Sequence, residues 1–483
     1  MQSNMAQKWS RTEAITGAIL FLFCLLVALT QIVNPFPHDG WFASQYRLLE
    51  RSPGADNYTP VSVPALLYAL LHFIAARFGR GLGAEFYLGS LAHHLMLFAS
   101  GVFLYLSHRC LKLQNAGLFV SVCLVVFIES TLMPQAFWSE NVTLCLMSAV
   151  LFVGFLIVTT PALGNKSFFA LTTIFGLLLG GLTITRLTPC TILPGIILLY
   201  FFHLPRARVI CFALLATGVV LVVVLATMTA NVYRYGRFEL TNSAGRHLWN
   251  VISVRSDEML AGSREYQLLK RGISDTQGKF WWDIDPGKIE GLKHLAREEL
   301  FQILSKQAIT SHPMTFAAIG MQNTLWLLAS CPGRIGLSWA LHYNPLRRDT
   351  MLPPLVDSFP VLEHFLELFH RMAAKVYPYA VYGALMLGFL ATSAVAIFST
   401  PSAKKEVTLP SAWLFLVGSF FSMLYLTGQI ERPDGRYGIL HLPLLLIISS
   451  SATGMLTRIW AKTSWKALRG WRLLEKEKTA RSV

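Results

Sequence analysis

Two acidic residues stand where an otherwise apolar chain could present a carboxylate to a substrate. Asp39 lies in the stretch Asn34–Arg47, just after the first long apolar run, between His38 and Gly40. A carboxylate held there can act as general base towards a hydroxyl or amine acceptor. A second interpretation stays open, because Asp39 also precedes a helical pattern over 41–49 and fits a helix N-cap.

The second carboxylate, Glu140, lies in the short connection 135–141 between two apolar runs. It is predicted to face the same side of the membrane as Asp39, so the two form the candidate catalytic pair. The alternative is a helix-start carboxylate that is stabilised by the helix dipole.

Arginines recur at the ends of the apolar runs on this same side. A guanidinium matches phosphate oxygens with two parallel hydrogen bonds, so these residues are the candidates for binding a lipid-linked phosphate. For any single arginine, snorkelling to lipid head groups is the competing explanation. The candidates are Arg186, Arg234, Arg237, Arg246, Arg432 and Arg436.

Aromatic and imidazole side chains accompany these charges. Five of them are candidates for contact with substrate: His38, Trp41, Tyr58, Trp138 and Tyr437. The pair His93-His94 has no matching ligand cluster and is predicted to be a satisfied buried pair. No Walker loop, GxGxxG, GxSxG or HExxH motif occurs, so ATP-driven transport, nucleotide sugars and zinc proteolysis have no motif support.

Composition places these residues in a membrane protein. Of 483 residues, 54% are hydrophobic and 14% are charged, against roughly 25% charged in soluble domains. This excludes a soluble enzyme, a disordered chain and a secreted disulfide scaffold; the seven cysteines include no CxxC pair. The net charge of +15 reports membrane topology here rather than a nucleic-acid partner.

The apolar runs predict an all-α polytopic membrane protein with about ten transmembrane helices. Two further apolar stretches, 61–78 and 314–331, are ambiguous. Counting basic residues places both termini in the cytoplasm if these two stretches lie flat on the outer surface. The predicted spans are 14–33, 86–106, 115–132, 142–160, 168–185, 188–204, 209–229, 377–398, 410–428 and 437–457.

The predicted organisation has four parts: an N-terminal transmembrane module (1–229) with a first outer loop (34–85), an extracytoplasmic insertion (230–376), C-terminal transmembrane helices (377–457) and a basic cytoplasmic tail (458–483). Apolar positions at helical spacing in 288–312 and 362–376 predict amphipathic helices on the membrane face. Such helices would form a layer over one end of the bundle, as an enzyme with a lipid-borne substrate requires.

Taken in order, these features resemble the GT-C fold membrane glycosyltransferases. More narrowly, they are similar to bacterial relatives of dolichyl-phosphate-mannose protein mannosyltransferase and of the aminoarabinose lipid A transferase. The motifs differ from those of the family in having Glu140 where many relatives carry Asp, and Asn57–Pro60 in place of a Glu-Lys-Pro-Pro run. The resemblance rests on Asp39, Tyr58–Ala65, Glu140, Arg186 with Pro189, the stretch from Tyr235 to Trp249, Ser311–Pro313 and the run Glu431–Pro443.

The resemblance implies an inverting transfer of a sugar from a polyprenyl-phosphate donor at the outer face of the inner membrane. Asp39 would be the base, and Glu140 would orient donor or acceptor, or share Mg²⁺ or Mn²⁺ with Asp39 or His38. The expected partners are the bilayer, the lipid-linked sugar and a glycan, lipid or protein acceptor. Two alternatives stay open: a polyprenyl-linked glycan flippase or other transporter, and an enzyme of the O-antigen polymerase or ligase type.

Overall fold

The computed structural model describes residues 9–30, 61–77, 82–126, 139–160, 163–241, 244–273, 284–329, 359–369, 408–430 and 444–449, with a few single positions between 371 and 383. Every regular element in these ranges is helical. The helices are α1 (Arg11–Thr30), α2 (Val63–Arg77), α3 (Leu82–Cys110), α4 (Gln114–Val126), α5 (Ser139–Thr159), α6 (Asn165–Thr185), α7 (Ile192–His203), α8 (Arg206–Tyr235), α9 (Ala244–Ile252), α10 (Ser256–Met259), α11 (Arg264–Gly272), α12 (Arg297–Ser311), α13 (Pro313–Ala329) and α14 (Thr408–Ile430).

The prediction of an all-α membrane protein is confirmed. Within the described ranges, five helices are long and apolar enough to cross a membrane: α1, the Tyr87–Cys110 part of α3, α5, α6 and α8. Helices suit this environment because all their central backbone groups are hydrogen-bonded internally. Predicted spans 377–398 and 437–457 lie largely outside the described residues.

The helices α1 and α3 to α8 alternate in direction along the chain, and α14 joins them in the bundle. At one end, Tyr105 near the end of α3 donates a hydrogen bond to Glu13 at the start of α1. Arg208 near the start of α8 donates to the carbonyl of Leu163, just before α6, at 3.0 Å. The opposite end, where α3 and α5 begin and α6 and α8 finish, is called the Glu140 end below.

The contact between α6 and α8 is made by glycines. A Cβ placed on Gly176 would lie 2.8 Å from the Cβ of Val219, and one on Gly180 would lie 2.9 Å from the Cβ of Val223. Small residues four positions apart let membrane helices approach with their backbones close together. This register sets the end of α6 beside Met228 of α8, and the last turns of α8 continue beyond it.

Helix α2 does not cross the bundle. Just before it, the backbone N–H of Val61 donates to Asn231 Oδ1 near the end of α8, at 3.0 Å. The helix finishes at Arg77, shortly before α3 begins at Leu82, so both of its ends lie at the Glu140 end. This agrees with the interpretation of 61–78 as a juxtamembrane helix.

The stretch 314–331, which the sequence leaves ambiguous, forms a helix that packs against the bundle. Helix α13 packs lengthwise against α14, and Leu327 and Leu328 in its second half belong to the same buried cluster as bundle residues Leu416 and Phe420. Hydrophobicity and loop charge alone favoured a flat surface helix. The close approach of Gly320 to Gly428 and the apolar second half of α13 instead allow it to descend into the bundle.

The described residues of 244–273 and 284–311 form a small folded layer with a core of its own. The rings of Trp249 on α9 and Phe301 on α12 stack with their centroids 5.4 Å apart. The helix predicted over 288–312 begins only at Arg297, because Gly291 takes a positive φ of 86° that interrupts a right-handed helix. Its apolar positions, such as Leu300 and Leu304, pack against protein rather than facing lipid.

The second predicted amphipathic segment, 362–376, is described as a helix over 360–369. Leu366 is buried, whereas Phe365 and Phe369 are exposed. An exposed aromatic face suits a position against lipid, as predicted.

Candidate functional site

Glu140 and Arg186 meet at the Glu140 end of the bundle. The guanidinium Nη2 of Arg186 donates to Glu140 Oε1 in a short ion pair, and it lies 3.4 Å from the hydroxyl of Ser139. The Glu140 side chain is 3% exposed and that of Arg186 is 16% exposed. The arginine is therefore the more accessible member of the pair.

Local structure places both side chains. Glu140 lies in the first turn of α5, where a carboxylate is favoured by the helix dipole. Helix α6 stops at Thr185, and Arg186 takes extended backbone angles of −150° and 128° before the short 3-10 turn Thr188–Thr191. Pro189 in this turn lacks the N–H that a continued helix would need, so the arginine turns away from α6 and reaches α5.

A buried hydrogen-bonded chain continues from Asn141, the neighbour of Glu140. Asn141 Nδ2 donates to the carbonyl oxygen of His93 at 2.7 Å and lies 3.3 Å from His93 Nδ1. His93 Nε2 lies 2.6 Å from the hydroxyl of Tyr68 on α2. The prediction that His93 and His94 are buried and satisfied is confirmed for His93, and His94 Nδ1 bonds to the Ser90 carbonyl at 2.7 Å. These hydrogen bonds link α2, α3 and α5, and this link was not predicted from the sequence.

A second buried ion pair lies in the layer. Arg246 Nε donates to Glu298 Oε2 at 2.9 Å, and the other carboxylate oxygen accepts the backbone N–H of Gly245 at 2.5 Å. Arg246 is 4% exposed and Glu298 is 9% exposed. Removing one member of so deeply buried a pair would leave an uncompensated charge. Sequence reasoning had selected Arg246 but missed Glu298.

These residues border an open cavity of about 570 Å³ in the layer, called the layer cavity below. Its walls come from the segment after α8, the start of α9, the turn at 285–287 and the first turns of α12. The predicted site residues Arg237 and Arg246 both line it, and Nη1 of Arg237 lies 3.9 Å from Oε1 of Glu239. The remaining lining residues are Glu239, Asp285, Pro286, Gly287, Leu295, Ala296, Arg297, Glu298, Glu299 and Gln302.

The layer cavity and the start of α2 meet at Asn231. The amide Nδ2 of Asn231 donates to the carbonyl of Glu239 at 2.8 Å, while its Oδ1 accepts from Val61. Arg234, one turn further along α8, hydrogen-bonds to Tyr235. Val61, the first described residue after Asp39 in the chain, therefore lies close to the wall of the layer cavity.

The structure thus places four of the five described candidates in two groups, Glu140 with Arg186 and Arg237 with Arg246, while Arg234 belongs to neither group. The proximity of the other candidates to either group stays a prediction. Those that lie outside the described residues are Asp39, His38, Trp41, Tyr58, Trp138, Arg432, Arg436 and Tyr437.

The divalent cation also stays a prediction. In the part of the chain that the structure describes, no group of three or more His, Cys, Asp or Glu side chains is arranged to hold a metal. Glu140 offers one carboxylate, and a guanidinium already neutralises it. The described residues therefore do not fit a metal centre, and Asp39, the other predicted ligand, lies outside them.

No protein-family model matches the chain, and no curated protein matches its sequence. Among solved structures, the chain is similar to the archaeal oligosaccharyltransferase AglB from Archaeoglobus fulgidus, solved in complex with an inhibitory peptide and a dolichol-phosphate. The TM-score is 0.47 and the identity 11%, over 95% of this chain and 52% of that protein. This chain spans about half of AglB, and a likeness at this level does not assign a fold family or function.

Proposed function

We propose that this protein is a membrane glycosyltransferase of the GT-C type, which moves a sugar from a polyprenyl-phosphate donor to an acceptor. The observation that carries the proposal is the Glu140–Arg186 ion pair, held at one end of an apolar bundle beside a folded layer. Ionisable groups in such positions are costly to maintain and therefore usually serve function. The ordered motif resemblance supplies the reaction class.

Arg186 is the proposed ligand of the donor phosphate. Its side chain is more exposed than that of Glu140, and a guanidinium carries five N–H donors. Glu140 would fix the orientation of the guanidinium while another edge meets the phosphate. This makes Glu140 a positioning residue for the donor, which is one of the two orienting roles predicted for it from sequence.

In the proposed reaction, the acceptor hydroxyl attacks the anomeric carbon of the sugar while its proton passes to the carboxylate of Asp39. The new bond joins the acceptor oxygen to the anomeric carbon. The bond from that carbon to the phosphate oxygen breaks, and its electron pair leaves with polyprenyl phosphate. A phosphate monoester has a second pKa of about 6, so the leaving group is acceptable once a cation balances its charge.

The test is binding of undecaprenyl phosphate to purified full-length protein in detergent. Arg186→Gln is expected to weaken binding by about 10- to 100-fold, since hydrogen bonds to charged groups contribute roughly 1.5–3 kcal/mol. Arg208→Gln is the matched control, because Arg208 lies at the opposite end of the bundle and contacts Leu163 and Asn165.

The double variant Glu140→Gln with Arg186→Gln separates binding from folding, because it leaves no buried charge without a partner. It is expected to fold and still to bind undecaprenyl phosphate weakly. Equal affinity in the wild type, Arg186→Gln and the double variant would contradict the assignment of Arg186.

A further inference from the structure

We propose that the layer cavity is the site that takes the acceptor, and that it binds a hydroxyl-rich, uncharged sugar unit. This inference rests on the proposed transferase function, because it names the chemical class of the second substrate. It also gives Arg237 and Arg246 a role different from the phosphate contact expected from sequence.

The size of the layer cavity suits a small molecule or one end of a longer chain. Its volume of about 570 Å³ lies within the range of roughly 300–1,000 Å³ that is typical of ligand pockets. Four separate segments of the chain contribute its walls, so the arrangement depends on the folded layer and not on one flexible loop.

The charges around the layer cavity select against an ionic ligand. Three arginines face it, Arg237, Arg246 and Arg297, and so do four carboxylates. A phosphate would meet the carboxylates, which are Glu239, Asp285, Glu298 and Glu299. A cation would meet the arginines. A hydroxyl group donates one hydrogen bond and accepts others, so a sugar can satisfy both kinds of side chain without an added net charge.

The buried ion pair of Arg246 and Glu298 forms a rigid part of the cavity wall. Both side chains are largely buried, and the Gly245 N–H holds the carboxylate from a second direction. The site is also crowded at its backbone, since a Cβ on Gly245 would lie 2.7 Å from the amide nitrogen of Gln302. Groups held in this way lose little conformational freedom when a ligand binds.

The charges of the layer cavity favour the acceptor over the donor, because the donor's phosphate would meet the four carboxylates. Glu239 on its wall is joined through Asn231 to Val61. Val61 is the first described residue after Asp39, the predicted base, in the predicted outer loop 34–85. Through Asn231, the wall of the layer cavity is therefore hydrogen-bonded to the segment that follows Asp39 in the chain.

The experiment measures binding without any donor. Saturation-transfer NMR on full-length protein in detergent uses a panel of methyl glycosides of mannose, glucose, galactose and arabinose, each with inorganic phosphate as competitor. The cavity variants are Arg237→Gln and Glu299→Gln. Arg255→Gln and Glu290→Gln are matched controls, because both residues are exposed in the layer and lie outside the cavity lining.

At least one glycoside is expected to bind saturably, with affinity reduced about tenfold in both cavity variants, unchanged in both controls and unaffected by phosphate. The proposal is overturned if no glycoside in the panel binds saturably, if the cavity variants bind like the controls, or if phosphate competes. Because the donor test depends on Arg186 and undecaprenyl phosphate, either proposal can fail while the other stands.

Discussion

Glu140 in the first turn of α5 and Arg186 just beyond α6 form an ion pair in which the carboxylate is 3% exposed and the guanidinium side chain 16%. The two residues are far apart in the chain and come together because α5 begins and α6 ends at the same end of the bundle. Charges withdrawn from water in this way depend on each other, since each would be costly alone. The pair therefore has measurable consequences for stability as well as for donor binding.

The first prediction is a coupling between these two residues. Glu140→Gln or Arg186→Gln alone should destabilise the protein by about 3 kcal/mol, because each leaves a buried charge without its partner. The double variant should lose less than the sum of the two single losses. Chemical denaturation in detergent measures the three values, and strict additivity would show that the two residues are not coupled.

The second prediction concerns the layer. Glu298→Gln should reduce amide hydrogen-exchange protection in α9 and α12, because Arg246 then stays buried without its carboxylate. Protection in α5 and α6 should stay unchanged, since Glu298 contacts Gly245 and Arg246 within the layer. A double variant, Arg246→Met with Glu298→Leu, should recover much of the lost protection. Uniform loss across bundle and layer would contradict a separate layer core.

The third prediction tests the packing of α6 on α8. Gly180→Ala should lower stability by about 1–3 kcal/mol, because its Cβ would lie 2.9 Å from the Cβ of Val223 and the helices must separate. Gly218→Ala on α8 is the control, since no atom lies within 4 Å of its added Cβ. There alanine should be neutral or stabilising. Thermal unfolding measures both, and an equal response to the two changes would refute the glycine contact.

The fourth prediction concerns acid sensitivity of the layer. Lys270 Nζ and the Tyr266 hydroxyl donate to Asp257 at 2.6 and 2.8 Å and lower the pKa of this carboxyl below its ordinary value of 3.8. A lowered pKa in the folded state contributes stability above pH 3.8 that disappears as the pH falls through the folded value. Protection factors near 256–270 should therefore decline below pH 4 in the wild type.

Asp257→Asn is the comparison for this acid effect. It should show lower protection at neutral pH and a smaller further loss below pH 4. The same decline in both proteins would assign the acid sensitivity to other groups, such as Glu265, whose pKa is also lowered, chiefly by a hydrogen bond from Gln307.

Most of the bundle could be predicted from sequence, because long apolar runs in membranes have few structural alternatives. The placement of 314–331 could not, since an apolar run has the same composition whether it lies on the bundle or within it. Helix α13 packs along α14 with Gly320 close to Gly428, and such a contact has no periodic signal in sequence. The interruption of the helix over 288–312 depended likewise on one glycine conformation at Gly291.

The candidate site was predictable by residue type but not by pairing. Glu140, Arg186 and Arg246 were selected because charges are rare in this chain. Their partners depend on contacts across the fold: Glu298 follows Arg246 by 52 positions, and Asn141 follows His93 by 48. No local sequence pattern indicates partners that are so far apart in the chain. The role of Glu298 and the hydrogen bonds from Asn141 through His93 to Tyr68 were therefore found only in the structure.

The most direct test of the account follows free polyprenyl phosphate by mass spectrometry. Purified protein is supplied with polyprenyl-phosphate-linked sugars and envelope acceptors extracted from the source membranes. The wild type and Arg208→Gln should release polyprenyl phosphate, and Asp39→Asn should release it about 10²- to 10⁴-fold more slowly while binding undecaprenyl phosphate normally. Release by Asp39→Asn at the wild-type rate, as expected of a polymerase or ligase with its site elsewhere, or no release by the wild type, would contradict the proposed transferase.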